Sequence, residues 1–170
     1  MFTFENITKL YPGVRALNAV DFSLKEGEVH CLVGENGSGK STMIKIISGV
    51  EQPEPGARIH IDGNDIHGMN AHEAINNGIR VIYQDLALFP NLTAGENIAF
   101  SLYSETPGIS VNWKNVASHA EEAAALIGLN LDLDKPVSAL SIAEQQQVEI
   151  ARSIMGDVKL LILDEPTASL

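Results

Sequence analysis

The segment Gly34-Glu35-Asn36-Gly37-Ser38-Gly39-Lys40-Ser41-Thr42 holds the residues whose chemistry is easiest to name. It satisfies G-x-x-x-x-G-K-[ST], a loop that cradles the phosphates of a nucleoside triphosphate. The glycines let the main chain curl so that successive N–H groups point inward at an anion. The start of the following helix adds partial positive charge. Lys40 supplies a full charge toward the β and γ phosphates, and the Ser41 hydroxyl is placed to ligate Mg²⁺. The candidate phosphate-binding set is therefore Gly34, Asn36, Gly37, Ser38, Gly39, Lys40, Ser41 and Thr42.

A second group is Leu160-Leu161-Ile162-Leu163-Asp164-Glu165, an apolar run that delivers two carboxylates at its end. Ligands in open parallel sheets bind at the C-terminal ends of strands. Alternation sends the two side chains to different sides, so they can have different jobs. Beside a phosphate loop, Asp164 is a Mg²⁺ ligand, direct or through water, and Glu165 orients and deprotonates an attacking water. Taken alone, the pair reads equally as surface acids after a core strand.

These groups need elements to position them. Val29 to Val33 reads as a short buried strand feeding the glycine loop, with Cys31 as a small buried hydrophobe within it. Met43 to Ile47 reads as helix. Upstream, Phe2–Ile7 and Val20–Leu24 alternate as strands. Gln52-Pro53-Glu54-Pro55-Gly56 is a breaker cluster, and residues 58–63 form a strand ending in a turn. Asn70 to Ala74 is a capped short helix stopped by Gly78, and Ile79–Tyr83 is a further strand. After Pro90 the pattern turns helical. Thr93 with Glu96, and Ser141 with Glu144, fit capping boxes. Pro107-Gly108 breaks the first of these helices, residues 116–127 form an alanine-rich helix, and Ser141 opens a helix through Met155. Val158–Asp164 returns to strand. The order predicts an α/β chain with residues 1–90 and 157–170 as a nucleotide-binding core and 91–156 as a helical part.

Composition narrows the class. The 170 residues carry 22 acidic and 11 basic side chains, a formal net charge of −11. That balance argues against non-specific nucleic-acid binding, which needs basic stripes. No apolar run reaches the ~18 residues of a membrane span, and no signal peptide is visible. A single cysteine excludes an internal disulfide. A cytoplasmic chain is expected, with any membrane role passing through a partner. The five dispersed histidines form no metal-ligand cluster.

Leu140-Ser141-Ile142-Ala143-Glu144-Gln145-Gln146-Gln147 resembles the signature segment of ATP-binding-cassette (ABC) ATPases, and Val81-Ile82-Tyr83-Gln84-Asp85 resembles their Q-loop. All landmarks stand in family order. The wording of residues 34–42 and Gln145-Gln146-Gln147-Val148-Glu149-Ile150-Ala151-Arg152 is especially similar to the sugar-importer group of bacterial cassettes. There two cassettes lie in tandem, and this chain matches the first. The resemblance implies a P-loop NTPase core with an N-terminal antiparallel β subdomain and a helical subdomain. It also implies ATP with Mg²⁺ as the bound species. Tyr11 would stack on adenine, Gln84 would reach the Mg²⁺ and water site, and Ser141 would touch the γ-phosphate of ATP held by a second cassette. Glu165, Lys40 and Gln84 would be the catalytic set, and Ser41, Gln84 and Asp164 the metal set. Without the family, Tyr11 before Pro12-Gly13 reads as a turn anchor and Ser141 as an N-cap.

The implied partners are transmembrane permease subunits, a second cassette and, indirectly, a periplasmic or extracellular solute-binding protein. No nucleic acid is among them. The implied location is the inner face of the cell membrane. A soluble ABC ATPase of translation or repair and a non-catalytic nucleotide-binding module are the alternatives. Two departures matter. Ile142 and Ala143 stand where the signature usually has two glycines, and Glu144 where glutamine is common, which restricts backbone approach to a phosphate. The family also continues past Leu170 with an inner core strand and a switch histidine. The chain is thus expected to be a C-terminally truncated cassette, its last strand displaced, loosely held or paired with another copy.

Overall fold

The computed structural model describes residues 1–66, 68–104 and 113–164. Glu165 and the Pro107-Gly108 break lie outside the described residues. Two units emerge, Met1–Ile79 and Arg80–Leu170.

The first unit is built on an antiparallel sheet. Strands β1 (Phe2–Tyr11) and β2 (Val14–Leu24) form a long hairpin, with Phe2 opposite Leu24 and Tyr11 opposite Val14. β3 (Arg58–Ile61) pairs with the other edge of β1, and β4 (Asn64–Ile66) extends the sheet in the order β2-β1-β3-β4. The inward positions of β1 change parity, from Phe2 and Phe4 to Ile7. A register shift between Phe4 and Ile7 explains it, with Asn6 at φ 54°. The bulge inserts one residue and turns the apolar side chains back to the same face. Asn6 is held there, its N–H donating to Asp21 Oδ1 at 2.8 Å and its Nδ2 to the Gly56 carbonyl at 3.1 Å.

Helix α1 (Lys40–Ile47) buries Met43, Ile44, Ile46 and Ile47, the contiguous stripe of an amphipathic helix. Helix α2 (Ala71–Asn76) starts with the expected cap. The Glu73 N–H donates to Asn70 Oδ1 at 3.0 Å, and the Asn70 N–H to Glu73 Oε2 at 2.8 Å.

The strand expected at Val29–Val33 does not form. Residues 28–35 have no strand pairing, Val29 and Val33 are 91% and 87% exposed, and Cys31 is exposed rather than buried. An apolar run needs a neighbour's N–H and C=O groups to become a sheet strand. Among the described residues none is paired with it.

β5 (Ile79–Ile82) leads into the second unit, where it pairs with β6 (Leu160–Leu163) as a two-stranded sheet. Leu163 remains 45% exposed. Between them stand α3 (Ala94–Ser104), α4 (Trp113–Leu126) and α5 (Ile142–Ser153). Their core is Ala94, Ile98, Ala120, Ala123, Val148 and Ala151, with Val137 and Leu140. Four alanines at the contact let the helix axes approach closely, which is why the alanine-rich α4 is well packed rather than merely helix-prone. Both expected capping boxes are present. At α3 the Thr93 N–H donates to Glu96 Oε2 at 2.8 Å and the Glu96 N–H to Thr93 Oγ1 at 3.1 Å. No helix among the described residues is long and apolar enough to cross a membrane.

Candidate nucleotide site

The loop at 34–39 closes by a tight turn, the Ser38 N–H donating to the Glu35 carbonyl at 3.1 Å. Gly39 is required by space, whereas at Gly34 the Ser38 side chain would have to move. A Cβ on Gly34 would meet Ser38 Oγ at 2.5 Å, and one on Gly39 would meet the Ala16 carbonyl at 2.5 Å. Gly39 also has φ +96°, which side chains rarely adopt. The close approach of Gly39 to Ala16 and Leu17 seats the end of the loop on β2. That is the strand whose hairpin turn presents Tyr11.

Lys40 closes the loop. Its Nζ donates to the Gly34 carbonyl at 2.8 Å and to the Glu35 carbonyl at 3.0 Å. The ammonium therefore lies within the curl of main chain. Helix α1 differs from α2 and α5 at its start. It has no side-chain cap and no acidic residue in its first turn, whereas α2 and α5 each place a glutamate there. A helix start of this kind, with a lysine beside it, is suited to an external anion. Ser41 is exposed in that first turn.

The remaining candidates sit in the second unit. The Asp164 N–H donates to the Ile82 carbonyl at 2.9 Å, so Asp164 stands at the end of β5. Gln84 is exposed two residues beyond Ile82, and the pairing thus brings Asp164 and the Gln84 segment to one end of the sheet. Among the described residues no cluster of three His, Cys, Asp or Glu side chains is suited to a metal.

Ser141 is the N-cap of α5, and its hydrogen bonds are already taken. Its N–H donates to Glu144 Oε2 at 2.7 Å and its Oγ donates to the same oxygen at 2.8 Å. The Ser141 N–H, then its hydroxyl, holds the Glu144 carboxyl below the usual carboxylate range. The sign follows: this cap stabilises at neutral pH and is lost as pH falls through the depressed value. Ser141→Ala is expected to cost about 1 kcal/mol, read as a lower denaturant midpoint. An unchanged midpoint would mean that water caps the helix equally well.

Three contacts near the candidate residues escaped sequence reasoning. Glu51 accepts from the Tyr11 hydroxyl. Arg152, on α5, donates through Nη1 to the Ala87 carbonyl at 2.7 Å and pairs through Nη2 with Glu149 at 2.6 Å, tying α5 to the segment after Gln84. Asn97 is fully buried beneath residues 89–93. All three depend on contacts that no motif announces.

Residues 17–168 match the family model described as ABC transporter. The chain belongs to the ABC transporter family. The ribose import ATP-binding protein RbsA of Hahella chejuensis is 44% identical over 170 residues, covering 100% of this chain and 34% of that protein. The arabinose import ATP-binding protein AraG of Rhizobium meliloti is 41% identical over 167 residues, covering 98% and 32%. The chain spans about a third of the length of the curated relatives it matches. A dimeric ATP-binding cassette solved in a post-hydrolysis state with ADP and Pi superposes with TM-score 0.81 at 29% identity, covering 100% of this chain and 76% of that one. A cassette in its ADP conformation gives TM-score 0.84 at 28% identity, covering 99% and 70%. The expected fold, an α/β ABC cassette with an antiparallel N-terminal sheet and a helical part, is the observed one.

Proposed function

We propose that this ABC chain is part of an ATP-hydrolysing subunit that drives import of a sugar through separate permease subunits at the inner face of the membrane. The observation that carries the reading is the phosphate loop, where Lys40 Nζ lies inside a curl whose Gly39 position leaves no room for a side chain. The names of the relatives support the cargo class, since they are ribose and arabinose import proteins. A second cassette as partner is supported by the dimeric cassette among the similar structures. A solute-binding protein would join only through the permease.

By side-chain chemistry alone, the Ser41 hydroxyl, the Gln84 amide oxygen and the Asp164 carboxylate are hard oxygen donors of the kind Mg²⁺ would take. The ion, when bound, supplies charge neutralisation for the phosphates. The chain's own residues do the rest. Lys40 and the loop amides bind and orient the phosphates. Tyr11 offers an aromatic platform, and Glu165 takes the proton of the attacking water. Ser141 serves the nucleotide of a second cassette, for which it must turn its donors from Glu144.

Glu165→Gln in the full-length protein is expected to keep ATP affinity within about twofold while lowering kcat by a hundredfold or more, the usual scale for a general base. Equal losses of binding and turnover would undo this division of roles. For the present chain alone the expectation is weak nucleotide binding and negligible turnover, because Val29–Val33 has no strand partner among the described residues and Ser141 acts on a partner's nucleotide. Magnesium-dependent steady-state hydrolysis by this chain alone would count against that.

A further inference from the structure

Tyr11 is held by a cluster that the sequence gives no sign of. Its hydroxyl donates to Glu51 Oε2. The same carboxylate takes Lys9 Nζ at 3.5 Å and Lys45 Nζ at 3.6 Å. Lys9 Nζ lies 5.6 Å from the centroid of the Tyr11 ring and also donates to the Gln52 carbonyl at 2.8 Å. Glu51 is fixed through its backbone as well, its N–H donating to the Lys45 carbonyl at 3.1 Å. The Lys9 and Glu51 side chains are largely covered, at 18% and 22% exposed, whereas Tyr11 is an exposed residue.

The elements involved give the cluster a direction. Helix α1 begins at Lys40, in the phosphate loop, and Lys45 in its last turn holds Glu51, four residues past its end, through both side chain and carbonyl. Eight helical residues make a rod of about 12 Å. One end of the rod carries the lysine that meets phosphates. The other end clasps the ring on the β1–β2 hairpin, and β2 touches the loop at Gly39. An aromatic side chain at a hairpin end would otherwise lose rotamer freedom when a base stacks on it. A clasp removes part of that cost before binding.

We propose that Glu51 is the positioning residue of a base-stacking platform: it fixes the Tyr11 ring from the far end of the helix that starts at the phosphate loop. The inference rests on reading residues 34–42 as that loop. Glu51 itself touches no nucleotide. Its partners are Tyr11, Lys9 and Lys45, and the ligand class it serves is any nucleoside triphosphate with a planar base.

Calorimetry on the full-length protein separates the possibilities, with ATP and inorganic tripolyphosphate as the two probes. Glu51→Gln is expected to weaken ATP binding about three- to tenfold and to leave tripolyphosphate binding unchanged, since only the base needs the platform. Tyr11→Phe, which keeps the ring and loses the hydroxyl, is expected to do the same. The double variant is expected to lose little more than either single one, because both break one contact. An equal loss for both probes would overturn the inference and assign Glu51 to the fold of α1. Unchanged ATP affinity in Glu51→Gln, or fully additive effects in the double variant, would overturn it too. A wild-type protein that bound neither probe would overturn the phosphate-loop reading itself, and this inference with it.

Discussion

Lys40→Ala is expected to weaken ATP binding by the full-length protein by about 1.5–3 kcal/mol, roughly ten- to a hundredfold. The magnitude follows from where the ammonium lies. Nζ already donates to the Gly34 and Glu35 carbonyls at 2.8 and 3.0 Å, so the charge is placed within the loop before any anion arrives. Pre-placement means that little side-chain entropy remains to be lost when a phosphate oxygen takes over as acceptor. The fold should hardly notice the change. The two hydrogen bonds are solvent-exposed, and exposed substitutions typically shift stability by less than about 0.5 kcal/mol. The measurement is therefore paired: calorimetry with ATP and magnesium, and denaturant melts of both proteins. Affinity lost in proportion to stability would place Lys40 in the scaffold, and unchanged affinity would remove it from the site.

Features set by neighbours in sequence were legible. The turn of the glycine loop, the capped helix start at Asn70 and the Thr93–Glu96 and Ser141–Glu144 capping boxes each depend on residues within a few positions of one another. Local hydrogen bonding decides them, and the tertiary fold leaves them unchanged. Features set by distant partners were not legible. The bulge at Asn6 needs Asp21 and the Gly56 carbonyl. Glu51 reaches Tyr11 across 40 positions, and Arg152 reaches Ala87 across 65.

Val29–Val33 shows the same limit from the other side. Its composition is that of a buried strand, and Cys31 with it reads as core. Burial requires a surface to pack on, and composition alone supplies none. The Tyr11–Glu51 contact and the tie between α5 and the segment after Gln84 could be found only by folding the chain.

Asn97→Ala is expected to destabilise the second unit by about 2–3 kcal/mol, the largest loss of stability expected of any substitution considered. Asn97 is 0% exposed and makes its bonds in both senses. Its Oδ1 accepts the Phe89 N–H at 2.8 Å, while its Nδ2 donates to the Phe89 carbonyl at 3.0 Å and the Thr93 carbonyl at 2.9 Å. Alanine would leave the Phe89 N–H without this acceptor, while the Phe89 and Thr93 carbonyls would keep the Leu92 and Asn97 N–H groups at 3.2 and 3.0 Å; a buried group left unpaired costs about 1–3 kcal/mol. Aspartate is no remedy, because it keeps the acceptor, loses both donors and buries a charge. Against a total stability of about 5–15 kcal/mol, the loss is a large fraction of what holds this unit together. Urea unfolding followed by a probe in the second unit measures it directly. A shift below about 1 kcal/mol would mean that water reaches Phe89 and Thr93 once the amide is gone. The segment leading from Gln84 into α3 would then be held by the Arg152–Ala87 contact rather than by Asn97.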